Sequence, residues 1–269
     1  MSIPRFSRLV SVVVLIALLT VPATVTYAQG DGHGDEDETD HTPHWGYDGM
    51  EGPDYWGELS ADFETCGTGT LQSPVDLSGV EATGEGALDI HWETSDLYIL
   101  NNGHTIQLNY HEGSAIELDG KVFNLIQFHF HQGSENTING MQAAMEVHFV
   151  HASEEGELAV IGVMLEEGEA DNAAYQTFWA HLPTLATETR TIPAIEIDAN
   201  ELLPENKSYY RFMGSLTTPP CTEGVNWVVM TEPVYLSTAQ LETFGAIYDH
   251  NFRPVQPIND RAISINQSK

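Results

Sequence analysis

Residues Gln127-Phe128-His129-Phe130-His131 constrain this chain more than any other stretch. Two histidines alternate with two phenylalanines, and in a strand residues i and i+2 share a face. The run predicts a strand with imidazoles on one face and aromatic rings on the other. Glu146-Val147-His148 supplies a third histidine on a second apolar strand. Three imidazoles on rigid strands can hold zinc and leave its fourth position open, the geometry of a catalytic site. Gln127 stands two residues before His129, and Glu146 two before His148. Each shares a face with its histidine, where it can accept the ring's second N–H.

The rest of the chain reads as a leader, a polar lead-in and one domain. Arg5 and Arg8 open a basic start, Leu9 to Val21 is almost wholly apolar, and Thr26-Tyr27-Ala28 offers small residues before a cut. We expect residues 1–28 to be a secretory signal, with an apolar run too short to span a bilayer. Residues 29–43 are acidic, without apolar period, and are expected to be a disordered lead-in. From 44 to 269 short β-rich runs alternate with turn signals: Leu97–Leu100, Thr105–Tyr110, Ala115–Leu118, Val122–His131, Met145–His151, Leu158–Leu165 and Val225–Thr231. Asp119-Gly120 and Asn139-Gly140 are hairpin turns by composition. Ser237 to Gln240 has capping-box spacing, and Asn172 to Leu182 carries apolar residues at near-helical intervals. The expected fold is a single, mostly β domain on a large, mainly antiparallel twisted sheet with small peripheral helices.

The chain carries 40 acidic and 9 basic residues, a formal net charge of −31. Such a surface repels nucleic acid and anionic membranes. It suits solubility, and also high salt, where screening weakens the repulsion among carboxylates. Two cysteines, Cys66 and Cys221, pair in an oxidising compartment or remain as buried thiols. An exported chain, periplasmic or extracellular, favours the disulfide.

His129-x-His131 followed by Glu135 is similar to the first metal motif of cupins, although Gly140 comes early and His148 follows too soon. More of the chain matches another family. His44-Trp45-Gly46-Tyr47, Gln72-Ser73-Pro74-Val75, Asn101-Asn102-Gly103-His104, the two histidine stretches, Ser215-Leu216-Thr217-Thr218-Pro219-Pro220-Cys221 and Asn251-Phe252-Arg253-Pro254-Val255-Gln256-Pro257 follow in the order of the alpha-class carbonic anhydrases. From about His44 to Ile265 the chain resembles an exported, bacterial-type member.

The resemblance implies one Zn2+ on His129, His131 and His148, and attack of zinc-bound hydroxide on carbon dioxide to give bicarbonate and a proton. It implies that Thr217 orients the hydroxide with Glu135 as its partner, and that His104 carries the proton out. Gln127, Glu146 and Asn251 would support the ligands; Tyr47, Asn102 and Gln107 would order water. Val150, Val160, Leu216, Thr218, Val225 and Trp227 would form the substrate wall. Cys66 and Cys221 match a disulfide of exported members. Gln132 and Asn136 depart from residues common in the family, which puts active-site rim contacts in question. Expected partners are carbon dioxide, bicarbonate, water, and sulfonamide and anion inhibitors, for a monomer or homodimer with no nucleic acid and no stable membrane insertion. A non-catalytic binding or mineral-matrix protein on the same scaffold is a second reading, and the retained Thr217 and Glu135 argue against it.

Overall fold

The strand Lys121–Gln132 is twelve residues long and lies at the centre of the molecule. It pairs antiparallel with Met145–Ala152, and the register sets His148 opposite His129 and Glu146 opposite His131. On its other edge Ile106–Asn109 sets Gln107 opposite His129. Leu158–Gly168 then places Gly162 opposite His148. This is a computed structural model, and it describes residues 43–267 apart from Glu81 and Gly86. The leader expected over 1–28 and all of the expected lead-in before residue 43 lie outside the described residues.

Around this centre thirteen of the described strands form one sheet. Its order is Thr189–Ile197, Ser95–Asn101, Ile106–Asn109, Lys121–Gln132, Met145–Ala152, Leu158–Gly168, Glu223–Met230, Tyr209–Ser215, Ser264–Gln267 and Ala82–Glu85. All seven strands read from the sequence are present, within three residues at each end. The sheet is mainly antiparallel. The parallel joins are findings of the structure: Leu158–Gly168 pairs parallel with Glu223–Met230 and with Val234–Ser237, and Ser264–Gln267 pairs parallel with Ala82–Glu85. Asp119-Gly120 and Asn139-Gly140 both have positive φ at each residue, as type I′ hairpins require.

The two faces of the sheet are chemically distinct. Phe128, Phe130, Val147 and Phe149 point into the main core, fully buried. There the helices Ala173–Trp179 and Thr238–Gly245 cover them with Tyr175, Phe178, Trp179, Leu241 and Phe244. Ser237 and Gln240 form the capping box, and Asn172 caps the other helix through its side chain. Each buried phenylalanine contributes about 1.5–3 kcal/mol of hydrophobic stabilisation. On the opposite face Val160, Val225, Trp227 and Phe212 form a second cluster. A third, Trp56 and Phe63, surrounds the Cys66–Cys221 disulfide. That bridge closes a loop of sequence separation 155, which in the chain-entropy account stabilises the fold by about 5 kcal/mol. No helix among the described residues is long and apolar enough to cross a membrane.

His151 stands on the core face of Met145–Ala152, stacked on Trp92 with ring centroids 5.6 Å apart. It is fully buried, and neither ring nitrogen has a hydrogen bond of ordinary geometry among the described residues. Burial lowers its pKa from 6.5 to about 3, with backbone groups of Ala159 and Phe149 opposing part of the shift. As pH falls, the unfolded chain is protonated at this ring before the folded chain. The neutral ring therefore contributes its full stability above about pH 6.5, and the contribution is lost progressively down to about pH 3, a few kcal/mol in all. In acid titrations followed by circular dichroism, His151→Phe should lose stability less steeply than the wild type over that window; parallel curves would contradict this account.

Candidate metal centre

His129, His131 and His148 each offer one ring nitrogen to a common point, with these atoms within 4.8 Å of one another. Each of the other ring nitrogens has an oxygen close by. His129 Nδ1 lies 2.9 Å from Gln127 Oε1, and His131 Nδ1 lies 2.7 Å from the backbone oxygen of Asn251. His148 Nε2 is 3.1 Å from Glu146 Oε1, close in distance but outside hydrogen-bond alignment. These contacts leave Nε2 of the first two and Nδ1 of the third facing the common point. His131 Nε2 is buried and has no hydrogen bond.

Burial keeps all three imidazoles neutral, and neighbouring histidines add to it at His129 and His148. His129 and His148 have pKa values well below the ordinary histidine value, first through burial and then through neighbouring histidines. Burial lowers His131 to about 4, against the opposing pull of its bond to Asn251 and of Glu146. Neutral imidazole is the ligating form. An orphaned nitrogen, three neutral N donors and oxygen partners behind each ring fit a zinc ion. Glu135 is not in the ligand group, so the cupin-like reading of the motif falls.

Behind the histidines the polar groups are interlocked. Glu146 Oε2 accepts from the backbone N–H groups of Glu135 and Asn136, and Oε1 accepts from Asn136 Nδ2. Asn251 Oδ1 accepts from the Gln132 N–H, while its Nδ2 donates to the carbonyl oxygens of His104 and Phe130. Gln132 and Asn136 were expected to bear on the rim. Instead Asn136 is fully buried and holds Glu146, and the Gln132 backbone is tied to Asn251. The departure at Asn136 therefore acts on the support of the ligands, whereas the bond at Gln132 is made by the backbone whatever the side chain.

Glu135 Oε1 accepts from the Arg253 N–H at 2.8 Å. Its Oε2 lies 3.4 Å from His131 Nε2 and 3.8 Å from His148 Nδ1. Burial raises its pKa to about 8, and bonds from Arg253 and Thr217 lower it. A divalent cation among the histidines would draw it back towards the carboxylate. The Thr217 hydroxyl is near enough to act on that pKa, yet Oε2 has no hydrogen bond of ordinary geometry. Contacts of this kind tighten when a ligand arrives.

A cavity of about 160 Å³ opens over the histidines, lined by Trp45, Tyr47, Asn102, His104, Gln107 and Thr218 together with Gln127, His129 and His131. His104 stacks on Trp45, centroids 3.8 Å apart and planes 7° from parallel. Partial burial and the nearby His44 lower its pKa. Burial, then Glu135 and Tyr248, holds the Tyr47 phenol well above its usual value. Val160, Val225 and Trp227, with Val150 and Leu216 packed on them, form the second apolar cluster, which reaches the site where Trp227 meets His148 edge-on at 4.9 Å.

Sequence reasoning did not assign roles to Trp45, Arg253 or Gly162. The first two lie inside quoted motifs, but only the structure shows what they touch. Arg253 is buried; its guanidinium donates to Gln72 Oε1 and to the carbonyl oxygens of Ser73 and Cys66. Gly162 carries no local signal at all.

The family model for eukaryotic-type carbonic anhydrases matches residues 51–267. A carbonic anhydrase of Klebsiella pneumoniae is 44% identical over 223 residues, covering 82% of this chain and 90% of the relative. One of Neisseria gonorrhoeae is 40% identical over 262 residues, covering 97% and 99%. The solved alpha-carbonic anhydrase of Thermovibrio ammonificans, in complex with the inhibitor sulfanilamide, is similar at a TM-score of 0.78 and 42% identity, covering 84% of this chain and 99% of that one.

A Cβ built on Gly162 would stand 2.7 Å from Glu146 Oε1. The clash displaces the carboxylate behind His148. Gly162→Ala should therefore weaken zinc binding by about 10- to 100-fold, the usual cost of disturbing a group behind a ligating histidine. Competition against a chromogenic chelator measures it, and unchanged affinity would show that Glu146 does not orient the ligand.

Proposed function

The chain belongs to the alpha class of the carbonic anhydrase family, and from that premise we propose that it catalyses the reversible hydration of carbon dioxide to bicarbonate and a proton. The observation that carries this reading is the convergence of three neutral imidazoles, each with an oxygen close behind its outer nitrogen. One zinc per chain, held by His129, His131 and His148, would acidify a water ligand enough to serve as nucleophile near neutral pH, the behaviour for which this family is the standard example.

The protein's own groups supply direction and a route for the proton. A threonine hydroxyl has one proton. If Thr217 gives it to Glu135, its oxygen can only accept on the cavity side, which turns a lone pair of the nucleophile towards the substrate. Carbon dioxide carries no net charge and suits the apolar surface of Val150, Val160, Leu216, Val225 and Trp227, with Thr218 at its edge. His104 lines the cavity; burial and His44 lower its pKa and favour the neutral ring, which can take up a proton from ordered water. Tyr47, Asn102 and Gln107 line the space where that water would stand. An arylsulfonamide, as in the Thermovibrio complex, would occupy the same cavity. The disulfide and the sequence of the first 28 residues support an exported enzyme, periplasmic or extracellular.

Stopped-flow hydration by zinc-loaded, oxidised protein tests the reading, with inhibition by sulfanilamide expected. Thr217→Val keeps the shape and removes the hydroxyl; kcat/KM should fall about 100-fold, the typical loss for one oriented hydrogen-bonding group at a reacting centre. A fully active Thr217→Val enzyme would overturn its role, and a silent wild type the function. His104→Ala should lower kcat about tenfold or more in dilute buffer, leave kcat/KM intact, and recover with imidazole. Lack of rescue would remove the proton route through His104.

A further inference from the structure

The amides on the cavity wall are oriented in sequence, and the order begins at the backbone. Asn102 Oδ1 accepts from the N–H groups of His104 and Thr105, both at 2.9 Å. Its Nδ2 is left to donate and faces Gln107 Oε1 at 3.4 Å. An amide NH2 cannot accept, so Gln107 must present its oxygen there and its Nε2 on the other side. That Nε2 meets Asn109 Oδ1 at 2.6 Å. Gln107 and Asn109 stand two apart on one strand, opposite His129 and Gln127 respectively. Asn109 thus lies on the same sheet face as the ligand and its partner, one step behind the cavity lining.

The outer bond, from Asn102 to Gln107, is long for a hydrogen bond. The inner bond to Asn109 is the short one. Without an acceptor at 109, only the long bond from Asn102 holds the Gln107 amide, and its orientation loosens. Waters that pass a proton need each neighbouring group to keep one sense, donor or acceptor.

We propose that Asn109 is a positioning residue for proton release: by accepting the Gln107 amide it holds the Gln107 oxygen towards the cavity, where water linking the metal centre to His104 would stand. The inference rests on the hydration reading above. It assigns Asn109 no contact with substrate or metal.

The test compares zinc-loaded wild type, Asn109→Leu and Asn109→Asp by stopped-flow carbon dioxide hydration in dilute buffer and in concentrated imidazole. Asn109→Leu should lose about three- to tenfold in kcat in dilute buffer, the scale of one neutral hydrogen bond. Its kcat/KM should be unchanged, and imidazole should close the deficit. Asn109→Asp keeps an acceptor oxygen and should retain the wild-type kcat. The proposal is overturned if Asn109→Leu keeps its kcat, if kcat and kcat/KM fall together, if imidazole does not restore turnover, or if Asn109→Asp is as impaired as Asn109→Leu. A wild type without hydration activity would overturn the function and this proposal with it, whereas an active wild type with an indifferent Asn109→Leu overturns the proposal alone.

Discussion

The pairing of Lys121–Gln132 with Met145–Ala152 is the constraint on which the rest depends. With His148 opposite His129, the three histidines converge on one face and Phe128, Phe130, Val147 and Phe149 enter the core on the other. A slip by one residue would exchange the faces of a strand. It would put imidazoles into the apolar core and aromatic rings over the metal centre. Burying those rings and converging the ligands are therefore satisfied by the same register, so core packing and site geometry are not separable choices. The buried aromatic rings alone weight the correct register by several kcal/mol.

A second layer makes the site rigid rather than merely assembled. The backbone N–H of Arg253 holds Glu135, while its guanidinium holds Gln72, Ser73 and Cys66. Gln72 Nε2 in turn donates to the carbonyl oxygen of Cys221, the partner of Cys66 in the disulfide. One buried cation thus ties the carboxylate beside Thr217 to both ends of the bridge. Burial lowers the Arg253 pKa to about 10, opposed by Glu135, so it keeps its charge at neutral pH. Because the carbonyl and amide oxygens around it accept three hydrogen bonds from the guanidinium, the charge is tolerated where an unpaired one would not be.

What was legible in the sequence, and what was not, follows from how local each signal is. Alternation of His and Phe, and a polar residue two before each outer ligand, are period-two patterns that a strand converts directly into geometry. Capping at Ser237 and the two hairpin turns are equally local, and the structure carries them as read. The parallel joins of Leu158–Gly168 are set by packing between segments nearly 70 residues apart, and nothing in either strand announces them. Gly162 matters only because Glu146 stands across from its missing side chain. Asn136 reads in the sequence only as a departure from a residue common in the family; its side chain reaches Glu146 and the Val75 N–H. A role transmitted through a third residue leaves no spacing to read.

The same distinction explains how a chain of such acidity builds a metal centre from neutral ligands. Of the 40 carboxylates, the structure buries two at the site, Glu135 and Glu146, and each accepts N–H groups fixed by the backbone. Neither takes a ligand position. Carboxylate ligands would cancel part of the ion's charge and blunt its effect on bound water, whereas neutral histidines preserve it. With Glu135 and Glu146 behind the histidines rather than among them, a metal ion held there would keep its full pull on a bound water. Direction of charge, donor and acceptor is passed inward from the main chain, through Glu146 to His148, through the Asn251 carbonyl to His131 and through Asn102 to Gln107. Strand register decides where these groups stand; backbone N–H and C=O groups decide which way they face.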